Sequence, residues 1–548
     1  MLEGFVPWPD KLASHYRQKG YWLDISIPRL FANLATEAPS RIVVIDEQRR
    51  ISLEELWLQA ERLAAHLYSI GLRSRQRVVF QLPNSVEFLS TFLALLRIGV
   101  IPVMALPAHR EAEITHYVRS AEAVALLIPE QHRGFDYPTM ADSVRRTTDC
   151  LRHVLVLGSP GPRDISFDDL LSREPPTDAV SAITDQMPDP ADVAFMLLSG
   201  GTTALPKLIP RTHNDYMYNF QRSASVAGFD HNTVLLIVLP LAHNYNLGSP
   251  GMLGALAAGG TTVIAPKADA ATVFSLVEKE RATTIPAAVP LVANWLNDPA
   301  INSFDLRSLK LVQNGGARMS PELRNRLRQR LGCNYQEIYG TAEGLLNLTR
   351  LDDDEEKILN SSGAPICEED EIKVVDEDGR EVPDGEKGEL ITRGPYTIRG
   401  YYNAPAINAH AFTADGFYRM GDIVTKKGRY VYAEGRKGDL INRGGEKISI
   451  DEIENLILRH PAVHSVALVA MPDPIFGERA CAFVVLKPSQ SLTFDGLSRF
   501  LIAQNIARFK LPERMEILSE FPISPAGKLM RRSLREMIEA KLRSETSI

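Results

Sequence analysis

The run LLSGGTTALPKLIPRTH, from Leu197 to His213, places five small or hydroxylated residues, Ser199 to Thr203, behind the apolar stretch Val193–Leu198. Lys207 and Arg211 follow at once. Glycines let backbone N–H groups approach phosphate oxygens, hydroxyls add donors, and lysine adds charge, so the pattern suits a polyphosphate. It is not the GxxxxGK[ST] loop, because the Gly and Lys spacing differs. A Gly/Thr-rich surface turn has the same composition, and this run alone leaves both readings open.

Such a loop needs elements to hold it. From residue 50 onward helical and strand patterns alternate. Ser52 can cap a helix with Glu55 as its capping-box partner, and Leu56, Ala60, Leu63, Ala64 and Leu67 then recur on one face. Arg77–Leu82 reads as a strand, Ser85–Ile98 as a helix, and Val100–Met104, Ala123–Ile128 and His153–Leu157 as strands. Val234–Leu239, Thr261–Ile264 and Leu309–Gln313 repeat the pattern. This βα alternation predicts mostly parallel sheets covered by helices. After about residue 365, short strands at Glu371–Val375, Gly388–Thr392 and Arg429–Ala433 are separated by Asp-Gly turns, which predicts a small antiparallel barrel or sheet. Near residue 439 a further unit of about 110 residues begins, within the usual size of a domain. Its elements read as a helix at Asp451–Arg459, strands at Val463–Ala470 and Ala480–Lys487, and a helix at Leu492–Asn505. The expected fold class is therefore α/β. A large N-terminal domain, residues 1–435, combines helix-covered parallel sheets and a small β-barrel. A hinge at 436–438 leads to a small, mobile α+β domain, residues 439–548.

Composition bounds the function. With 548 residues, 45% hydrophobic and 24% charged, the chain is of ordinary globular type. A net charge of −7 supplies no general basic surface for nucleic acid. Cys150, Cys333, Cys367 and Cys481 are far apart, without CxxC pairing, so neither a zinc site nor a disulfide framework is indicated, and a reducing, cytoplasmic setting fits. The first residues, MLEGFVPWPDKL, lack the layout of a signal peptide. The most apolar short run, Val234–Leu241, is far below the ~20 residues that span a bilayer, so no membrane association is expected.

The opening loop has company further along. Pro240-Leu241-Ala242-His243-Asn244-Tyr245, Asn314-Gly315-Gly316-Ala317-Arg318, Tyr339-Gly340-Thr341-Ala342-Glu343 and Tyr418-Arg419-Met420-Gly421-Asp422 come in turn. Glu434-Gly435-Arg436, Asn442-Arg443-Gly444-Gly445-Glu446-Lys447 and Pro525-Ala526-Gly527-Lys528 follow. In this order the set resembles the adenylate-forming superfamily of acyl-CoA synthetases, peptide-synthetase adenylation domains and luciferases. The runs HNYNLGSPG, GTAEGLLNLTRLDD, ITRGPYTIRGYY and INRGGEKI resemble in particular the stand-alone aryl-acid ligases of siderophore biosynthesis, above all 2,3-dihydroxybenzoate–AMP ligases.

The resemblance implies ATP and Mg²⁺ as cofactors and assigns roles. Ser199, Thr202, Thr203 and Lys207, with Gly200, would hold the β- and γ-phosphates. Glu343 would ligate Mg²⁺, a hard cation that favours oxygen ligands. Gly315, Gly316 and Ala317 would let adenine lie on backbone, with Tyr339 against its ring and Gly340 and Thr341 alongside. Asp422 would accept the ribose hydroxyls with help from Arg436. Lys528 would neutralise charge between carboxylate and α-phosphate. In the acid pocket Asn244 would meet the 2-hydroxyl, Tyr245 form a wall, Ser249 face the 3-hydroxyl, Ile338 pack at the ring edge and His243 stand at the carboxylate end. Each of these residues also has an ordinary reading as core aromatic, turn acid or solvated base.

Three positions depart from the family pattern: Ala204 replaces a loop glycine, Asn314 an apolar residue beside the adenine and acid sites, and Gly438 a hinge Asp or Lys. Ser249 favours 2,3-dihydroxybenzoate, since salicylate enzymes tend to carry Cys there, while Ile338, larger than the usual Val, leans toward salicylate. An acyl-CoA synthetase is a further alternative. The expected acceptor is the phosphopantetheine thiol of an aryl carrier protein. No serine-centred carrier motif is visible in the C-terminal tail, so that carrier is expected on a separate chain.

Overall fold

The computed structural model describes the chain apart from residues 48, 200–205, 437–439, 444–445, 474–475, 505–507, 525–528 and 547–548. The side chains at 436, 440, 442, 446–447, 449, 509 and 546 are likewise outside it. Among the described residues the large unit contains two helix-covered sheets. One runs Leu208–Thr212, Val193–Leu198, Ile101–Met104, Arg77–Phe80, Ala125–Pro129, His153–Leu157 and Ile165–Ser166 in spatial order. The other orders Ala364–Pro365, Gly344–Leu348, Asn334–Thr341, Leu311–Gly315, Thr284–Ala287, Val234–Ile237, Thr261–Ile264, Ile42–Asp46 and Arg49–Ser52. The inner strands of both are parallel. They are buried on both faces, as strands covered by helices on each side must be.

Local signals set these elements. The helix Leu53–Ser69 opens with the expected capping box: Glu55 N–H donates to Ser52 Oγ at 3.2 Å and Ser52 N–H to Glu55 Oε2 at 2.8 Å. Leu56, Ala60, Leu63, Ala64 and Leu67 are all buried. Ser85 caps the helix Val86–Arg97 rather than belonging to it. The strand expected at Leu309–Gln313 is displaced to Leu311–Gly315, because Leu309 closes a turn onto Leu306 and pairing with the parallel Thr284–Ala287 strand begins at Leu311. Two helices before residue 50, Asp10–Gln18 and Ile27–Glu37, had no sequence reading. The first of them contributes Tyr16 to an aromatic cluster with Trp8 and Trp22.

The unit expected as an antiparallel barrel or sheet is a four-stranded antiparallel sheet, Glu371–Val375, Gly388–Arg393, Tyr418–Lys427 and Tyr430–Arg436. From Leu440 a separate sheet follows, built from Leu440–Arg443, Glu446–Ser449, Val463–Asp473, Gly477–Leu486 and Arg514–Leu518. Its two apolar clusters draw only on residues of this small C-terminal unit. Among the described residues no helix is long and apolar enough to cross a membrane.

Val234–Ile237, Thr284–Ala287, Leu311–Gly315 and Asn334–Thr341 run in the same direction. Their carboxyl ends therefore share one edge, the place where open α/β sheets bind ligands.

Candidate functional site

The opening loop sits at the end of an antiparallel hairpin, Val193–Leu198 with Leu208–Thr212. Ser199 N–H donates to the Lys207 carbonyl at 3.0 Å, and Lys207 N–H donates to Ser199 Oγ at 2.9 Å. The two ends of the loop are thus clamped together. Gly200, Thr202, Thr203 and Ala204 lie outside the described residues. Lys207 Nζ stands 4.4 Å from the Tyr401 ring centroid. Tyr401 donates its hydroxyl to Glu343 Oε1 at 2.8 Å and lies 3.2 Å from the Tyr418 hydroxyl. Glu343 is only 6% exposed. Burial, and then the Glu343 carboxylate, push the Tyr418 phenol far above its ordinary range, so it stays protonated. Gly344 makes the turn after Glu343: its φ is +140°, and a Cβ there would lie 2.4 Å from the Thr397 Cα.

Arg211 corrects the picture of a cationic loop. It is fully buried, bonded through Nε to Asp215 Oδ1 at 2.7 Å, through Nη1 to the Ala342 carbonyl at 2.9 Å and through Nη2 to the Tyr396 carbonyl at 3.1 Å. Its side chain turns from the edge strand Leu208–Thr212 into the protein, so this charge braces the turn that carries Glu343.

At the glycine run, Gly315 ends its strand in register with Ile338, and Gly316 takes φ +86°. Asn314 is fully buried and donates Nδ2 to the Ala317 carbonyl at 2.8 Å and to Glu337 Oε2 at 3.1 Å. It holds the glycine loop closed, which accounts for a polar residue where the family pattern has an apolar one. Glu337 also receives Tyr335 Oη and lies 3.2 Å from Arg324 Nη2. Its burial raises the carboxyl above its ordinary range, and Arg324 opposes that rise. Tyr339 donates its hydroxyl to Asp422 Oδ2 at 2.6 Å. Asp422 lies opposite Arg436 in the strand ladder. Gly340 passes so close to the Leu345 carbonyl that a Cβ would lie 2.3 Å from its oxygen. Thr341 Oγ1 donates to the Gly344 carbonyl at 3.1 Å.

The residues expected to meet the acid follow the Val234–Ile237 strand. His243 caps the short helix Asn244–Gly248, its Nδ1 accepting from Tyr245 N–H at 3.3 Å. Asn244 Oδ1 accepts from the Tyr216 hydroxyl at 2.9 Å. Tyr245 and Ile338 are buried in one apolar cluster with Leu346 and Leu348. A Cβ on Gly315 would lie 3.0 Å from the Tyr245 ring, so the glycine backbone forms part of the surface against which that ring packs. Ser249 is buried, and its Oγ accepts from Asn219 Nδ2 at 3.3 Å.

The chain matches the AMP-binding enzyme family over residues 31–402 and the AMP-binding enzyme C-terminal domain over residues 452–528. It belongs to the AMP-binding enzymes, the adenylate-forming superfamily. It is 44% identical over 544 residues to the 2,3-dihydroxybenzoate-AMP ligase of Bacillus subtilis, covering 99% of each chain. It is 42% identical over 541 residues to the vibriobactin-specific 2,3-dihydroxybenzoate-AMP ligase of Vibrio cholerae, covering 98% of each. The apo structure of MbtA from Mycobacterium smegmatis superposes with a TM-score of 0.75 at 37% identity, over 97% of this chain and 98% of that one.

Within this AMP-binding enzyme the structure brings Ser199, Lys207 and Glu343 together through Tyr401, Tyr339 and Asp422 through a hydrogen bond, and Tyr245 and Ile338 through packing. Lys528, Gly438 and the Arg436 side chain lie outside the described residues. Sequence reasoning missed Tyr216, Asn219, Arg211 and Tyr401 as supports. Tyr401 lay inside a run that carried the family resemblance, RGYY, yet had no role there. Tyr216 and Asn219 carried no signal, since a Tyr or Asn in an amphipathic helix looks like any other core-facing residue.

Proposed function

We infer that this chain is an aryl-acid–AMP ligase acting on 2,3-dihydroxybenzoate, a (2,3-dihydroxybenzoyl)adenylate synthase of siderophore biosynthesis. A carboxylate oxygen attacks the α-phosphorus of ATP and the bond to the β-phosphate bridge breaks, giving acyl-AMP and pyrophosphate. The thiolate of a phosphopantetheinylated aryl carrier protein on a separate chain then attacks the acyl carbon, and AMP leaves as the thioester forms. The barrier in the first step is the approach of two anions and the charge on the phosphoryl oxygens.

Asn244 is the observation that carries the reading. Its amide is held by Tyr216 beside the buried Tyr245 and Ile338, at the sheet edge that also carries Tyr339 and Glu343. An aromatic acid calls for this combination of apolar walls and a few oriented polar groups. Lys207 and Ser199 face the triphosphate, Tyr339 and Asp422 the nucleoside, and His243 the carboxylate end.

The donor set also fits Mg²⁺. Among the described residues no group of three or more His, Cys, Asp or Glu side chains converges, and Glu343 offers one hard, buried carboxylate held by Tyr401. Mg²⁺ is typically bound by one or two carboxylates completed by substrate phosphates and water. Bound there, it would neutralise charge on the phosphate oxygens. Lys528 belongs to the adenylating step, and a pivot near Gly438 would exchange it for the Arg443–Lys447 loop in thioester formation. The division is residues 1–435, hinge 436–438 and 439–548.

Acid-dependent ATP–pyrophosphate exchange with 2,3-dihydroxybenzoate, salicylate and benzoate tests this. The expected order of kcat/KM is that order. Asn244→Leu should narrow the gap between salicylate and benzoate, chiefly by lowering salicylate, since an unmet buried amide costs roughly 1–3 kcal/mol. Wild-type enzyme that handles benzoate as well as the catechol acid would disprove the role of Asn244. Clear preference for salicylate would mean that Ile338, rather than Ser249, governs the pocket.

A further inference from the structure

Beyond His213, which closes the opening run, the helix His213–Val226 holds none of the residues read from the sequence motifs, yet it underlies the acid pocket. Its Tyr216 is fully buried. Phe195 and Phe220 box the ring at centroid distances of 4.6 and 6.2 Å, both edge-on. The Arg211 guanidinium lies 4.8 Å from the ring centroid, held in turn by Asp215. Gly248 closes another side: a Cβ there would come within 2.6 Å of the ring and 2.7 Å of its oxygen. Burial keeps this phenol well above its ordinary pKa, so it remains a donor. Its single proton goes to Asn244 Oδ1 at 2.9 Å.

A side-chain amide has one acceptor end and one donor end. With Oδ1 committed to Tyr216, Asn244 keeps its N–H₂ for the ligand. Were the amide reversed, its N–H₂ would donate to the phenol oxygen and the phenol proton would lose its acceptor, Asn244 Oδ1. We propose that Tyr216 sets the substrate class by locking the Asn244 amide with its N–H₂ outward, so that the pocket accepts acids bearing an ortho oxygen and rejects those bearing an ortho amine. The proposal rests on the reading above that Asn244 faces the 2-position of the acid.

The chemistry of the two acid classes differs at one atom. In a 2-hydroxybenzoate the hydroxyl proton bonds internally to the carboxylate, which leaves the oxygen lone pairs to accept from Nδ2. In a 2-aminobenzoate the nitrogen lone pair is delocalised into the ring. One N–H bonds the carboxylate and the other meets Nδ2–H, donor against donor. Specificity often rests on such a repulsive element as well as on attraction. Asn219, one turn along the same helix face, orients the second polar group in the same way. Its Nδ2 donates to Ser249 Oγ at 3.3 Å and to the Gly248 carbonyl at 2.5 Å, which leaves the serine proton for a meta oxygen.

The experiment is ATP–pyrophosphate exchange with salicylate, 2-aminobenzoate and benzoate, for wild type, Tyr216→Phe and Asn244→Asp. Wild type should favour salicylate over 2-aminobenzoate by at least about tenfold in kcat/KM. Tyr216→Phe keeps the ring in its cage but frees the amide. Salicylate should fall, 2-aminobenzoate rise, and their ratio shrink at least about fivefold. Asn244→Asp presents acceptors only and should prefer 2-aminobenzoate. An equal fall for all three acids in Tyr216→Phe, or an unchanged ratio, overturns the proposal while leaving the ligase reading intact. Should Tyr216→Phe fail to fold, continued preference for salicylate in Asn244→Asp overturns it equally. Wild-type indifference between benzoate and salicylate is a different result: the reading of Asn244 falls, and this inference with it.

Discussion

On the acid side, Asn244 and Ser249 each take a hydrogen bond from one buried helix face, whereas on the phosphate side Lys207 leans on the ring of Tyr401. The first arrangement fixes direction. An amide or hydroxyl discriminates only if its donor and acceptor ends cannot exchange, and a second buried partner prevents that exchange. The second arrangement holds a charge lightly. Among the described residues Lys207 has an aromatic face rather than a carboxylate, a contact worth about 0.5–2 kcal/mol. Under the proposed function, a triphosphate would draw the ammonium away from that ring at small cost. Glu343 is held by a phenol, which donates to the carboxylate without cancelling its charge. Under the proposed function, neutral ligand groups would be read by locked dipoles, and charged ones met by groups whose charge is kept available.

That contrast can be broken at its strongest point first. Lys528→Ala should cut adenylate formation by about 10²–10³, the usual cost of one well-placed group at an electrostatically catalysed step. Thioester formation from supplied aryl-AMP should be spared. Equal loss in both half-reactions would point to misfolding rather than missing charge.

Next in size comes Tyr401→Phe, which keeps the ring beneath Lys207 and removes only the hydroxyl on Glu343. Groups that orient a metal ligand typically change metal affinity or activity about 10–100-fold. The concentration of Mg²⁺ needed for half-maximal exchange should rise by that order, with maximal rate largely restored at high Mg²⁺. A lower rate with unchanged Mg²⁺ dependence would remove Tyr401 from the support of Glu343.

The smallest effect tests what lies behind the acid wall. Asp370 is fully within the protein and accepts from the Tyr396 hydroxyl at 2.6 Å and the Cys367 N–H at 3.2 Å. Tyr396 and Cys367 share the apolar cluster of Tyr245 and Ile338. Burial pushes the Asp370 carboxyl up to about 7, against the opposing hydrogen bonds and Arg429. A folded-state pKa above the unfolded value means that the fold binds the proton more tightly. Its contribution to stability is therefore most favourable at low pH and declines as pH rises through about 4 to 7. Asp370→Asn carries no such decline. The melting temperature of the variant relative to wild type should climb by roughly a few degrees between pH 5 and pH 8. A constant difference across that range would show that Asp370 does not titrate there.

Much of the fold was legible from pattern alone. The capping box at Ser52 and Glu55, the exact spans Thr261–Ile264, His153–Leu157 and Glu371–Val375, and the change of texture near residue 365 all appear in the structure. These are local signals: periodicity, capping chemistry and Asp-Gly turns act over a few residues. The ordered motifs likewise hold residues that the structure joins: Ser199 with Lys207, Tyr339 with Asp422, and Tyr245 with Ile338.

The tertiary structure decided how those residues are held. Arg211 follows Lys207 by four positions, yet it faces inward because strand geometry puts it in the core with Asp215. Asn314 departs from the family pattern, and only the position of the Ala317 carbonyl and Glu337 gives its amide a use. Tyr216 and Asn244 are separated by a strand and a loop, and nothing in either segment marks one for the other. The sequence by itself determined which groups are present and which face of each element is apolar, since those follow from side-chain chemistry and backbone period. Which way the Asn244 amide is turned depends on a phenol brought there by helix packing, and a hydrogen bond across such a contact exists only once the chain has folded.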